Sequence, residues 1–214
     1  MLRFITFEGG DGSGKTTQLN LLANYLSSRS RACLCTREPG ATKLGKMIRR
    51  VLLEAGDEKI ASETELFLYL ADRAQHVREI IRPALAAGKI VLCDRFTDST
   101  VAYQGYGRGV DLRVLRDLNQ IASGGLTPDL TLFLDCPPAL GLARTAERMA
   151  SQRPGARRED RFEREAAEFH ARVRRGFQEL AQSDSARIRL LDASRPAEDL
   201  HEEIRSIVEA RLDR

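Results

Sequence analysis

Residues 8–17 read EGGDGSGKTT, with glycines at positions 9, 10, 12 and 14 ahead of Lys15, Thr16 and Thr17. Glycines let a backbone turn successive N–H groups toward one centre, and the start of a helix adds positive potential there. The pattern Gly9-x4-Gly14-Lys15-Thr16 follows an apolar run and opens a helical one, which is the context a phosphate-binding loop requires. Gly9, Gly10, Asp11, Gly12, Ser13, Gly14 and Thr17 are then expected around the phosphates of a nucleoside triphosphate. Lys15 should reach the β- and γ-phosphates and Thr16 a magnesium ion. The motif does not say where the phosphate goes.

Other residues bear on that question. A carboxylate at Asp11, inside the loop, would repel phosphate, so it is expected to face a second ligand; an exposed loop aspartate is the alternative. Asp94 and Arg95 end an apolar run at 90–93, where side chains reach the crevice beyond a parallel sheet's carboxyl edge. A carboxylate for a magnesium-bound water beside a cation for phosphate is one reading, and a structural ion pair the other. Arg37 ends the run before Glu38-Pro39-Gly40; it suits a second phosphate or a salt bridge to Glu38. Asp135, before Pro137-Pro138, is read as structural. His76, His170 and His201 fall in helical patterns and are read as surface or packing residues. With Lys15, Arg37 and Arg95 at one sheet edge, two phosphate groups could meet there with their charge balanced.

Apolar runs at 3–7, 32–36, 90–93, 130–134 and 187–190 are expected as strands. Between them lie helical patterns at 16–28, 44–53, 63–86, 112–122, 138–148, 158–181 and 196–212. Such alternation argues for an α/β fold, a mostly parallel sheet covered by helices on both faces. Pro39-Gly40, Gly88 and the stretch 105–109 read as turns. Length (214 residues) suits one domain, and 42% hydrophobic with 30% charged residues suits an ordinary globular chain. The net charge of +3 is modest, arginines alternate with glutamates, and no nucleic-acid-binding signature is visible, so a nucleic-acid partner is not expected. No run is long enough for a membrane span. Cys33 and Cys35 are expected to point to opposite faces of a strand; with Cys93 and Cys136 scattered, a reduced, cytoplasmic setting fits best. Residues 151–160, SQRPGARRED, lack apolar periodicity. They read as an exposed loop or as a lid closing cations over a reaction.

FEGGDGSGKTT, TREPG, the YLADR segment from Tyr69, DRFTDSTVAYQG from Asp94 and TPDLTLFLD from Thr127 together resemble the bacterial thymidylate kinases. The likeness runs from Phe7 to about Pro196, and the DRxxxSxxAYQG pattern is far more specific than the phosphate loop. It implies the three-layer fold of the nucleoside monophosphate kinases, a five-stranded parallel sheet flanked by helices, in a single kinase domain with a lid at about 148–162. It also implies transfer of the ATP γ-phosphate to dTMP with Mg2+, giving dTDP for dTTP synthesis, by a cytoplasmic homodimer. Carried over by motif, Asp11 meets the acceptor's 3'-hydroxyl, and Arg37 and Arg95 its phosphate. Tyr69 stacks on thymine in place of the usual phenylalanine, and Arg73, one helical turn on, bonds the base. Ser99, Tyr103 and Gln104 surround base and deoxyribose, and Arg144 packs on adenine. Gly12-Ser13 matches members whose catalytic arginine comes from the lid, with Arg148 expected first and Arg153 second; Arg157 and Arg158 are further choices. Ala41, where the family usually has glycine, is expected to be harmless unless a positive φ is needed there. Another nucleotide or deoxynucleoside kinase, or a phosphate-loop switch, are the rival readings; two arginines for an acceptor phosphate disfavour a bare nucleoside, and no guanine-specific NKxD motif is present.

Overall fold

The computed structural model describes residues 2–54, 60–151, 161–162 and 165–212. Strands form at Phe4–Glu8 (β1), Cys33–Arg37 (β2), Ile90–Asp94 (β3), Leu130–Asp135 (β4) and Ile188–Asp192 (β5). They pair in parallel in the order β2-β3-β1-β4-β5, so the strand feeding the glycine-rich loop is central. Because both faces of the inner strands β1, β3 and β4 are covered, they read as nearly continuous apolar runs, while the edge strands β2 and β5 are partly exposed; successive residues serve different cores. Ile5, Phe7, Leu92, Leu132 and Leu134 pack with Leu22 of helix α1 (Lys15–Ser28) and Ile204 of α9 (Ala197–Leu212). Each such leucine, fully buried, stabilises the fold by about 2 kcal/mol.

On the other face, Phe4, Val91 and Cys93 meet Val77 and Ile81, while Phe133 stacks on Phe177. Val77–Ile81 is a π-helical turn joining α3 (Ser62–His76) to α4 (Arg82–Ala86), and Phe177 lies on α8 (Ala167–Ser183). The remaining helices are α2 (Lys43–Leu53), α5 (Thr97–Thr100), α6 (Leu112–Ser123) and α7 (Pro138–Ala150). The helix–sheet–helix layering and all five strands agree with the sequence reading.

Three expectations are corrected. The stretch at 105–109 is not simply a turn: α5 runs on into a π-helix at Val101–Gly107, and the chain leaves it at Arg108. Gly105 and Gly107 serve close packing, since a Cβ would lie 2.5 Å from Leu112 Cδ2 and 2.7 Å from Phe169 Cε2. The helix expected from 158 starts at Ala167; Phe162 instead turns inward against Tyr103 and Phe169, with ring centroids 5.4 and 6.2 Å away. Cys33 and Cys35 share a face of β2, as residues two apart in a strand must, and each thiol perturbs the other. Burial raises both thiol pKa values, so neither is an activated nucleophile.

Candidate active site

The loop at 9–14 leaves the central strand and enters α1 through Gly14, whose φ of 89° favours glycine. The Lys15 ammonium folds back onto the loop, 2.7 Å from Gly10 O, 3.1 Å from Gly9 O and 3.4 Å from Ser13 Oγ. Burial, with the charge of Arg95 nearby, pushes its pKa down to about 8. Incoming phosphate oxygens would replace those carbonyls and restore its charge. Gly12 sits at φ 70°, and a Cβ there would lie 1.9 Å from Gly141 O on α7. No side chain fits, which is the physical reason a catalytic arginine cannot come from this loop.

Strand register sets out the charged groups. Arg37 lies opposite Asp94, and Asp94 opposite Phe7, so three strand ends form one row. Thr16 donates to Asp94 Oδ2 at 2.6 Å, bringing together the hydroxyl and carboxylate expected for magnesium. Arg95 turns away from Asp94 through φ 70° and pairs instead with Asp11, Nη2 to Oδ1 at 2.6 Å. Its guanidinium also donates to Gly9 O at 2.9 Å, Ser99 Oγ at 3.2 Å and the Tyr103 hydroxyl at 3.2 Å. The ion-pair reading of Asp94 with Arg95 is therefore not realised. Tyr103 donates in turn to Asp11 Oδ2 at 3.1 Å. Burial alone would raise the Asp11 carboxyl, but Arg95, Lys15 and the Tyr103 hydroxyl hold it below the usual range.

Glu38 does not pair with Arg37. It accepts from Arg73 Nε at 2.9 Å and pairs with His76 Nδ1 at 2.9 Å beneath the turn at 38–40, whose Glu38–Pro39 peptide is cis. Among the described residues Arg37 has no carboxylate partner, so its exposed guanidinium is available to a ligand. Asp72 Oδ1 accepts the Gly40 N–H at 3.0 Å in the same network. Ala41 has no positive φ, so alanine is unstrained there.

Three cavities converge on this row. One of ≈ 580 Å³ is lined by Lys15, Thr16, Thr17, Arg37, Asp94 and Arg95. A second, ≈ 160 Å³, holds Asp11, Tyr69, Arg95, Ser99, Tyr103, Gln104 and Phe162. The third, ≈ 360 Å³, lies beyond the loop between Gly12, Ser13, Gly14, Thr17 and Arg144, with Arg144 anchored to Ala193 O at 2.9 Å. Arg148 lines all three. Arg73 is less available than expected. Only 2% exposed, it donates to Glu38, Thr100 Oγ1, Asn119 Oδ1 and Phe96 O, leaving one of its five N–H groups. Arg153, Arg157 and Arg158 lie outside the described residues. Asp135 holds Arg174 at 2.7 and 3.0 Å, the structural role expected of it. His76 is a buried member of the Glu38 network, and His170 and His201 are packing residues.

Three functional candidates escaped the sequence reading. Arg49 lines the 580 and 160 Å³ cavities and donates to Pro39 O at 2.9 Å; it belongs to no motif and so gave no signal. Glu8, fully buried, accepts Phe96 N–H at 2.7 Å and Ser99 Oγ at 2.5 Å, fixing the turn that carries Arg95. Burial and the charge of Asp98 push its pKa up to about 8. Glu65, also buried, joins Gln104 to Arg108 and Arg161. A carboxylate inside an apolar stretch was the one available hint for both glutamates.

Comparison with known proteins identifies the family. The thymidylate kinase family model matches residues 7–204. The chain is 53% identical over 211 residues to a thymidylate kinase of Desulfovibrio desulfuricans, covering 99% of this chain and 97% of that one. It is 52% identical over 209 residues to one from a Synechococcus strain, covering 98% and 95%. A crystal structure of thymidylate kinase from Ehrlichia chaffeensis superposes with a TM-score of 0.77 at 36% identity, covering 96% of this chain and 98% of that chain. With a family model matching residues 7–204 and likeness along nearly its whole length, the chain belongs to the thymidylate kinase family.

Proposed function

We propose that the chain transfers the γ-phosphoryl group of ATP to dTMP, giving ADP and dTDP for dTTP synthesis and DNA replication. The carrying observation is that two cavities, one at the phosphate loop and one enclosed by Tyr69, Tyr103 and Gln104, share Asp11, Arg95 and Arg148 at their junction. ATP would enter over Gly9–Thr17 with its adenine toward Arg144. dTMP would place its base against Tyr69 and Gln104, its 3'-hydroxyl near Asp11 and its phosphate between Arg37 and Arg95, with Arg49 adjoining. Arg73 supports the base pocket from beneath with its remaining N–H.

In-line transfer needs positioning and charge neutralisation more than covalent chemistry. The acceptor phosphate, with a second pKa of about 6, is already largely dianionic near neutrality. No strong base is needed. Lys15 and Arg95 balance charge on the two nucleotides, and Arg148 reaches both sides of the junction. The hydroxyl of Thr16 and the carboxylate of Asp94 are hard oxygen donors suited to Mg2+. A bound magnesium ion would supply further neutralisation of phosphate charge. The lid expected over about 148–162, of which 152–160 lie outside the described residues, would exclude water and separate transfer from hydrolysis.

A homodimer is supported by apolar side chains left exposed on adjoining helices: Met47 and Val51 on α2, Phe67 on α3 and Ile121 on α6. No helix among the described residues is long and apolar enough to cross a membrane, and a cytoplasmic setting is proposed on that and on the free cysteines. A coupled ADP-release assay offering dTMP, dUMP, dCMP, dGMP, AMP and thymidine tests the reading. Strong turnover with dTMP and almost none with thymidine is expected; one slow rate whatever the acceptor would replace the kinase by an ATPase.

A further inference from the structure

Glu65 lies one helical turn before Tyr69 on α3 and is 1% exposed. Its Oε1 accepts Gln104 Nε2 at 2.8 Å, and its carboxylate also takes Arg108 Nη2 at 3.2 Å and Arg161 Nη2. Burial would raise its pKa, but the donors from Gln104, Arg108 and Arg161 together outweigh this and hold it below the usual range. Glu65 is thus an ionised carboxylate with no hydrogen to give. Of the two ends of the Gln104 amide, only the NH2 can face it. The opposite orientation would set a carbonyl oxygen against a carboxylate oxygen at hydrogen-bonding distance, in a buried site where that repulsion is poorly screened.

We propose that Glu65 sets the polarity of the Gln104 amide and thereby selects the acceptor base. With one N–H held by Glu65, Gln104 presents a carbonyl oxygen and its second N–H to the pocket it lines. Among the described residues no donor satisfies that carbonyl oxygen, so it is available to a ligand. A base carrying N3–H beside a carbonyl oxygen, as thymine and uracil do, offers the complementary donor and acceptor. Cytosine offers a bare N3 beside an amino group, the reverse pattern, and would need the amide turned over against Glu65. Glu65 is a positioning residue: it acts on the base through Gln104 and touches no substrate. The inference rests on the acceptor base lying at Gln104, as proposed above.

The test is kcat/KM for dTMP and for dCMP, with ATP and Mg2+, in wild type, Glu65→Gln, Glu65→Asp, Arg108→Gln and Gln104→Ala. Glutamine at 65 can donate as well as accept, so the Gln104 amide becomes free to turn. The dTMP/dCMP ratio is then expected to fall by about tenfold or more, the discrimination one bidentate contact provides. A merely structural role for Glu65 would lower both substrates together and leave the ratio unchanged, which would overturn the proposal. Arg108→Gln removes a different partner of the same carboxylate and should leave the ratio unchanged even if activity drops; an equal fall there would also overturn it. Should Glu65→Gln not fold, Glu65→Asp draws the carboxylate back from Gln104 while keeping its charge. The ratio should fall in the same direction, and no fall refutes the inference. Gln104→Ala separates the two levels. If it changes neither dTMP use nor the ratio, the base does not lie at Gln104 and the site reading fails. If it collapses the ratio while both Glu65 variants keep it, only the role of Glu65 fails.

Discussion

Gly12→Ala should damage the enzyme far more than the loss of one hydrogen atom suggests. Gly12 holds φ 70°, and the added Cβ would meet Gly141 O, C and Cα at 1.9, 2.6 and 2.8 Å. All three are backbone atoms, so no side chain can rotate away. Restoring ordinary contact near 3.4 Å requires the loop or the first turns of α7 to move by roughly 1.5 Å, the strain of an overpacked site at about 1–3 kcal/mol. The left-handed backbone adds about 1–2 kcal/mol for a residue with a Cβ. A total loss of about 2–5 kcal/mol is therefore expected in thermal or urea unfolding. The displaced elements are the phosphate loop and the helix bearing Arg144 and Arg148, and a misplacement on the order of 1 Å can cost about 100-fold in rate. The ADP-release assay should show a fall of that size in kcat/KM for ATP. Gly10→Ala is the control for stability, because nothing lies within 4 Å of a Cβ there and its φ is not positive. It should shift stability by no more than about 0.5 kcal/mol. Wild-type stability and kcat/KM in Gly12→Ala would refute the claim that loop and helix are rigidly apposed.

Other predictions follow from the charges. Lys15, held near pKa 8 against an ordinary 10.5, carries less proton above pH 8 than a solvated lysine, so its contribution to stability rises with pH through that window. Triphosphate restores the charge, so calorimetry of ATP binding in buffers of different ionisation enthalpy should show proton uptake at about pH 8.5 and almost none at about pH 6.5. Burial and neighbouring Glu38 raise Asp72 from 3.8 to about 6, so ionising it opposes folding: stability falls as pH climbs between those values, and the penalty persists above them. Asp72→Asn keeps an acceptor for the Gly40 N–H and should raise stability at about pH 8 by about 1–2 kcal/mol, with no gain below about pH 4; a flat difference across the melting series would contradict this. Phe67, 59% exposed on α3, should matter for assembly: Phe67→Glu is expected to shift sedimentation from dimer to monomer, and an unchanged profile would remove this face from the interface.

How much was readable from sequence depended on distance along the chain. The five strands were legible because each is a short run rich in apolar residues, broken only by single polar ones such as Thr6, Thr131 and Arg189, and Lys15, Thr16, Asp94 and Arg95 because local motifs carry them. The helix over 97–107 was missed since Gly105 and Gly107 look like turn residues until Leu112 and Phe169 are seen pressing on them. Glu8, Arg49 and Glu65 were missed for a similar reason. Their partners are Ser99, Pro39 and Gln104, and in two of the three the connection crosses from one strand or helix to a distant one. The commitment of Arg73 to Asn119, 46 positions away, was equally invisible.

The left-handed turn at Arg95 has a consequence for how charge is partitioned. Consecutive side chains at the end of an extended strand point to opposite sides of the sheet, which would have sent an anion and a cation away from one crevice or neutralised them against each other. One residue at φ 70° lets both serve the same crevice while facing separate halves of it. Asp94 goes toward Thr16 and Arg95 toward Asp11, Ser99 and Tyr103. A glycine would make this turn without strain but would bring no charge; an arginine there costs about 1–2 kcal/mol of backbone energy. Glu8, by gripping the Phe96 N–H and the Ser99 hydroxyl on the far side of the turn, keeps the chain from relaxing out of it. The fold thus holds strain in a single dihedral angle to send a carboxylate to one side and a guanidinium to the other within the width of two residues.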